Sequence, residues 1–128
     1  MTNGGGVQLR FKDEGKYIAI IKDGKLTRTD IIALINEAQK RDMIVDLSGR
    51  NLSGLDLSRL SLGRANISNV DLSGANLSNS TLFNANLSHS NLSGANLTYT
   101  DFSYVNLSTA RIVGSSMANA ILFKTVLS

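Results

Sequence analysis

Residues 72–97 read LSGANLSNSTLFNANLSHSNLSGANL. Leucine stands at 72, 77, 82, 87, 92 and 97, one every five residues, and the hexapeptide LSGANL occurs twice, twenty residues apart. Followed outward, the spacing holds in both directions without a break. Upstream it passes through Ile67, Leu62, Leu57 and Leu52 to Leu47; downstream it runs through Phe102, Leu107, Ile112, Met117 and Leu122 to Leu127. All seventeen of these positions are apolar and thirteen are leucine. We call each of them a centre.

The flanks are patterned as well. The residue before the centre is Asn or Asp in 11 of 17 units, and the residue after it is Ser or Thr in 12 of 17. Two before the centre, small residues dominate, with alanine at 65, 75, 85, 95, 110 and 120. A period of five suits neither regular element. On a helix successive centres would advance about 500° and form no stripe. On a flat strand an odd period sends them to opposite faces. The pattern closes only if the chain turns a corner once per unit and directs every centre to a common axis. That is a solenoid.

A second period gives the number of corners. Glycine follows the centre by two at 54, 74, 94 and 114, and Asn66, Asn86 and Asn106 also repeat at twenty. Twenty residues made of fives means four sides to a coil. These tandem Ala-(Asn/Asp)-Leu-(Ser/Thr)-X units, continuous over 45–128, resemble the pentapeptide-repeat proteins. The resemblance implies an all-β solenoid, a right-handed quadrilateral β-helix of about four coils. In it the centre and the residue two before it would point inward, the other three positions outward. Arg50, Leu55 and Leu60 depart from the small inward type, and Ile121, Phe123 and Val126 from the polar outward type. Stacked asparagines on one side (Asn66, Asn86, Asn106) are expected to hydrogen-bond as a ladder.

Residues 1–44 form a second region without the five-residue period, and they hold 14 of the chain's 23 charges. Val7–Phe11 alternates, Asp13-Glu-Gly15 offers a turn, and Tyr17–Ile21 reads as a strand, which predicts a short hairpin. Thr29 is placed to N-cap a helix over about 30–41, with Ile31, Leu34, Ile35 and Ala38 on one face. We expect this hairpin and helix to cap the open end of the solenoid, since terminal repeats need covering. The far end has no counterpart. Either two copies stack end to end or the sequence is a fragment of a longer solenoid; we expect the first, with Ile121, Leu122, Phe123, Val126 and Leu127 as the interface of a homodimer.

Composition narrows the chemistry. The 128 residues include no Cys, Pro or Trp and one His, with 13 Lys+Arg against 10 Asp+Glu. Without thiols there is no disulfide framework and no cysteine nucleophile, and one histidine leaves few zinc constellations. The solenoid acids Asp46, Asp56, Asp71 and Asp101 fall on four different sides, so no two make a same-face carboxylate pair. His89 sits at an outward corner, and the serines are set by the repeat and lack a base. No catalytic, cofactor or metal site is expected, and no cofactor. The start Met1-Thr-Asn-Gly-Gly-Gly shows no basic and apolar leader pattern, and no stretch is long enough to span a bilayer. A cytoplasmic location is the expectation, with no membrane partner.

One side offers a candidate site. Arg64, Phe83, Asn84, Tyr104, Phe123 and Lys124 project from the fourth side, with Tyr99 on its neighbour. Exposed aromatics beside cations suit a protein contact. We therefore expect a non-enzymatic scaffold or protein-interaction module. The alternative is a regulator of a nucleic-acid enzyme such as DNA gyrase. Family members that resist gyrase poisons are understood as acidic DNA mimics. The solenoid here has Arg50, Arg59, Arg64, Arg111 and Lys124 against four acids, and no acidic stripe to imitate phosphates. Five scattered cations are also a poor track for nucleic acid itself, which makes direct binding an unlikely function.

Overall fold

From Asp46 onward, residues twenty apart stand side by side in the computed structural model, which describes residues 7–128. Met1–Gly6, the start read above as lacking a leader, lies outside the described residues. Parallel bridges join Asp46 to Asn66, Asn51 to Asp71, Asp56 to Asn76 and Ser61 to Thr81, and the series continues to Asn106 with Val126. Each bridge falls on the residue before a centre. Most are followed by a turn in which the residue three after the centre donates back to the centre carbonyl, as Ala75 does to Leu72 at 3.0 Å. Four such sides make one twenty-residue coil.

The centres fill the axis. Leu47, Leu52, Leu57, Leu62, Ile67, Leu72, Leu77, Leu82, Leu87, Leu92, Leu97, Phe102 and Leu107 are all fully buried. Burial of one such side chain stabilises by roughly 1.5–3 kcal/mol. The inward residues beside them are alanines, a few larger aliphatics (Leu60, Val70 and Val105), and hydroxyl residues with partners. Ser80 and Ser90 donate their hydroxyls to the carbonyls of Leu77 and Leu87 at 2.5 and 2.7 Å. Arg50 leaves this inward set, because a guanidinium would have no partner in an apolar axis. It turns out to donate to the carbonyls of Lys22 (3.1 Å) and Gly24 (3.5 Å).

The Asn and Asp before the centres explain themselves locally. In all eleven units that carry one, its Oδ1 accepts the backbone N–H two residues on, at 2.9–3.2 Å. Ser68 and Ser88 add a hydroxyl to the same oxygens of Asn66 and Asn86. The expected asparagine ladder is thus corrected. These oxygens are engaged within their own turns, because a partner two residues away costs less entropy than one in the next coil.

The corner two after the centre takes a left-handed φ, from Gly49 (74°) to Lys124 (58°), with Thr109 the one exception. Glycine and asparagine accept this conformation readily; Arg59 (62°) does not. Arg59→Gly is expected to stabilise the protein by about 0.5–1 kcal/mol, read as a raised midpoint in urea.

Ahead of the coils come β1 (Gln8–Lys12), a single tight turn at Asp13–Gly15, β2 (Tyr17–Ile21), α1 (Arg28–Arg41) and β3 (Ile44–Val45). β1 and β2 pair antiparallel from Gln8↔Ile21 to Lys12↔Tyr17, as the hairpin reading expects. The helix begins two residues earlier than that reading. Its N-cap is Thr27, not Thr29, since only Thr27 places Asp30 where it completes a reciprocal capping box. Ile31, Leu34, Ile35 and Ala38 are buried in one core with the centres.

β3 had no sequence signal. It pairs parallel with β2, and Val45 passes its carbonyl on to the N–H of Asn66 at 2.8 Å. The hairpin sheet therefore runs without interruption into one side of the solenoid. Side chains fasten the other sides. Arg28 donates to the carbonyls of Asp56 (2.8 Å) and Ser58 (3.0 Å), and Lys25 to that of Ser53. At the junction Asp46 is buried, which by itself would raise its pKa. Hydrogen bonds from Lys12 (2.8 Å) and Ser48 outweigh that and hold its carboxyl below the ordinary 3.8. A lowered carboxyl contributes stability at neutral pH that is lost as pH falls through its folded-state value. The stability gap between wild type and Asp46→Asn should accordingly be open at pH 7 and closed by about pH 2 in urea titrations.

Candidate functional site

The repeat gives every outward position the same backbone, so a site on this wall depends on which side chains the twenty-residue register brings together. On the fourth side it brings three aromatics into a column. Phe83 and Phe123 each follow a centre, and Tyr104 occupies the corner of the coil between them. Ring centroids are 5.4 Å apart for Phe83–Tyr104 and 5.6 Å for Tyr104–Phe123, both edge to face. All three remain substantially exposed, at 42, 49 and 58%. The Nζ of Lys124 lies 5.9 Å from the Phe123 ring centre, a cation–π contact at the end of the column.

Arg64 stands at the other end and enters no ion pair among the described residues. It lines a groove of about 430 Å³ between α1 and the solenoid, whose walls include Ile35 and Met43 on one side and Gly63 and Phe83 on the other. Gly63 follows its centre, where most five-residue units carry Ser or Thr, and lines this groove together with Phe83. The groove was not legible in the sequence, because it depends on where α1 lies against the coils. Asn84 takes the left-handed corner below Tyr104. Tyr99 is exposed but has no ring contact with the column, so it stands apart from the other candidate residues.

The far end departs from the polar outward pattern of the repeat. Ile121, Leu122, Phe123, Val126 and Leu127 are each 40–58% exposed. They form the last coil of the described residues, and Phe123 belongs to both this end and the column. His89 is exposed at its corner and Asp46, Asp56, Asp71 and Asp101 lie on four different sides by the bridge register. Among the described residues, no group of three or more His, Cys, Asp or Glu is placed to hold a metal ion, and no helix is long and apolar enough to cross a membrane.

The model of the family described as pentapeptide repeats matches in eight copies, over segments 45–79, 61–98, 75–112 and 90–128. This chain belongs to the pentapeptide-repeat family. Solved structures of other pentapeptide-repeat proteins are similar to it. One, from the thylakoid lumen of Arabidopsis thaliana, is 28% identical with a TM-score of 0.52, over 65% of this chain and 61% of that one. A second, from the cyanobacterium Cyanothece 51142, is 34% identical over 60% of this chain and 56% of that one, with a TM-score of 0.38. HetL, a pentapeptide-repeat protein of Nostoc involved in heterocyst differentiation regulation, is 27% identical over 65% of this chain and 49% of its own, with a TM-score of 0.37. The match thus spans less than two thirds of each of these relatives. No curated protein matches the chain.

Proposed function

We propose that this pentapeptide-repeat protein is a non-catalytic scaffold that binds a protein partner through the Phe83–Tyr104–Phe123 column. The coils would form the right-handed quadrilateral β-helix that its relatives imply, with residues 1–44 as the cap. The cap reading is supported by Lys25 and Arg28, which donate to the first coil's carbonyls of Ser53, Asp56 and Ser58. The column carries the functional reading. Three rings in mutual contact, bracketed by Arg64 and Lys124, keep apolar area in water along one side of the solenoid. Clustered aromatics with flanking cations are what protein interfaces use as anchors.

The double variant Phe83→Ala/Tyr104→Ala tests this directly. Both residues are exposed, so the variant should fold as wild type does. A partner captured by wild type and lost by the variant is the expected result of a comparative pull-down; an unchanged partner list would sink the proposal. Inhibition of DNA supercoiling by the purified protein at micromolar concentration would do the same and install the gyrase reading instead. The solenoid's net charge of +1, from five cations and four acids, is the reason we rank that reading second. We further propose that a second copy covers the C-terminal end through Leu122, Phe123 and Leu127. Light scattering that gives a monomer mass at high protein concentration would remove this homodimer.

A further inference from the structure

The wall of the solenoid is complete except at one rung. Pairs of residues twenty apart before the centres begin at every fifth residue from 46 to 106, and all are bridged but Asn86 with Asn106. On this side, the coils below bond through Leu47 N–H to Asn66 O (2.8 Å) and Ile67 N–H to Asn86 O (2.7 Å). The coil above bonds through Leu107 N–H to Val126 O at 2.6 Å. In between, the N–H groups of Leu87 and Asn106 donate to nothing among the described residues. The carbonyls of Ala85 and Asn106 likewise accept nothing.

Two more observations fall at the same place. His89 N–H, which by register should reach the Ser108 carbonyl, goes to Thr109 Oγ1 at 3.1 Å. Thr109 is also the corner that lacks the left-handed φ of all the others. A cleft of about 310 Å³ opens there, lined by Ala85, Leu87, Tyr104, Asn106 and Thr109 among others.

Backbone N–H and C=O groups in a stacked wall of this kind are nearly always paired. The opened rung presents a donor and an acceptor on each lip. Only a group that itself both donates and accepts complements both lips. A carboxylate offers acceptors alone and an ammonium donors alone. We propose that the opened rung between Asn86 and Asn106 is a binding slot for an amide group of a partner. The source is either a peptide unit of an extended segment or the carboxamide of an Asn or Gln side chain. Tyr104 lines both the slot and the aromatic column, so a segment lying on the column would have an amide beside the slot. The slot stands without the scaffold reading, because free amides are enough to test it.

Amide-resolved NMR of the full chain, titrated with N-methylacetamide, with propionamide and with acetate, decides the matter. The expected result is saturable shifts at Leu87 and Asn106 with an amide, and none there with acetate or at Ile67. N-methylacetamide saturating at the lower concentration identifies a peptide unit; propionamide doing so identifies a side-chain carboxamide. Hydrogen exchange at Leu87 N–H should also be on the order of 100-fold faster than at Ile67 N–H. Leu87 exchanging as slowly as Ile67 would overturn the proposal. So would amide shifts that never saturate, or that acetate reproduces.

Discussion

Replacing Phe102 with alanine is expected to lower stability by about 4 kcal/mol, the largest single effect at any centre. Phe102 is the one aromatic centre, and none of its surface reaches solvent. It lies above Leu82 and below Leu122 in the register, with Val105 beside it. Truncation removes the ring's transfer energy and leaves a hole that stiff, bridged walls cannot collapse to fill. Leu77→Ala, at an equally buried but smaller centre, should cost about 3 kcal/mol by the same reasoning. Urea unfolding checks both. A Phe102→Ala midpoint no lower than that of Leu77→Ala would show that the axis relaxes around the cavity.

The second large effect is expected at Arg28, on the opposite end of the molecule. Arg28→Ala should cost about 2 kcal/mol, although the side chain is about one-third exposed. Its ion pair with Asp56, at 3.4 Å, contributes little, because Asp56 is 60% exposed and water screens it. The weight lies in two charged hydrogen bonds to the carbonyls of Asp56 and Ser58 at 2.8 and 3.0 Å. On this side of every later coil such carbonyls accept from the coil before; in the first coil there is none, and the arginine takes that place. Arg28→Lys should recover less than half of the loss, since one ammonium cannot span two carbonyls as a guanidinium fork does. Asp56→Asn supplies the control and should fall within about 0.5 kcal/mol of wild type. An Asp56→Asn loss as large as that of Arg28→Ala would return the weight to the ion pair.

Much of the molecule was legible in the sequence because a solenoid converts spacing directly into position. The centres at every fifth residue became the buried axis, and glycine at every fourth corner marked the twenty-residue coil. Phe83, Tyr104 and Phe123 could be assigned to one side from their numbers alone. What that arithmetic missed shares one character. The Asn and Asp oxygens bond within their own turns, and the sequence reading spent them on an inter-coil ladder; the eleven Asn/Asp and twelve Ser/Thr flanks were the signal that could have shown it. The cap of α1 moved from Thr29 to Thr27 because a capping box needs a partner at its third residue, which the single-residue rule does not test.

The groove lined by Phe83, the fit of Arg28 onto bare carbonyls and the opened rung at Asn86 have a different status. No local pattern encodes them. The groove exists because α1 crosses the coils at one angle, and Arg28 matters because a helix start happens to lie over two unpaired carbonyls. The rung is open at Asn86 and Asn106 alone among thirteen pairs whose five-residue units are built alike. The sequence by itself determined the coil, its period and the side on which each residue stands, because each five-residue unit carries its own turn, its own bridge residue and its own buried centre. Only the tertiary structure decided where the stacking is perfect and where it fails. That depends on volumes summed between coils twenty residues apart, and no single unit contains that sum.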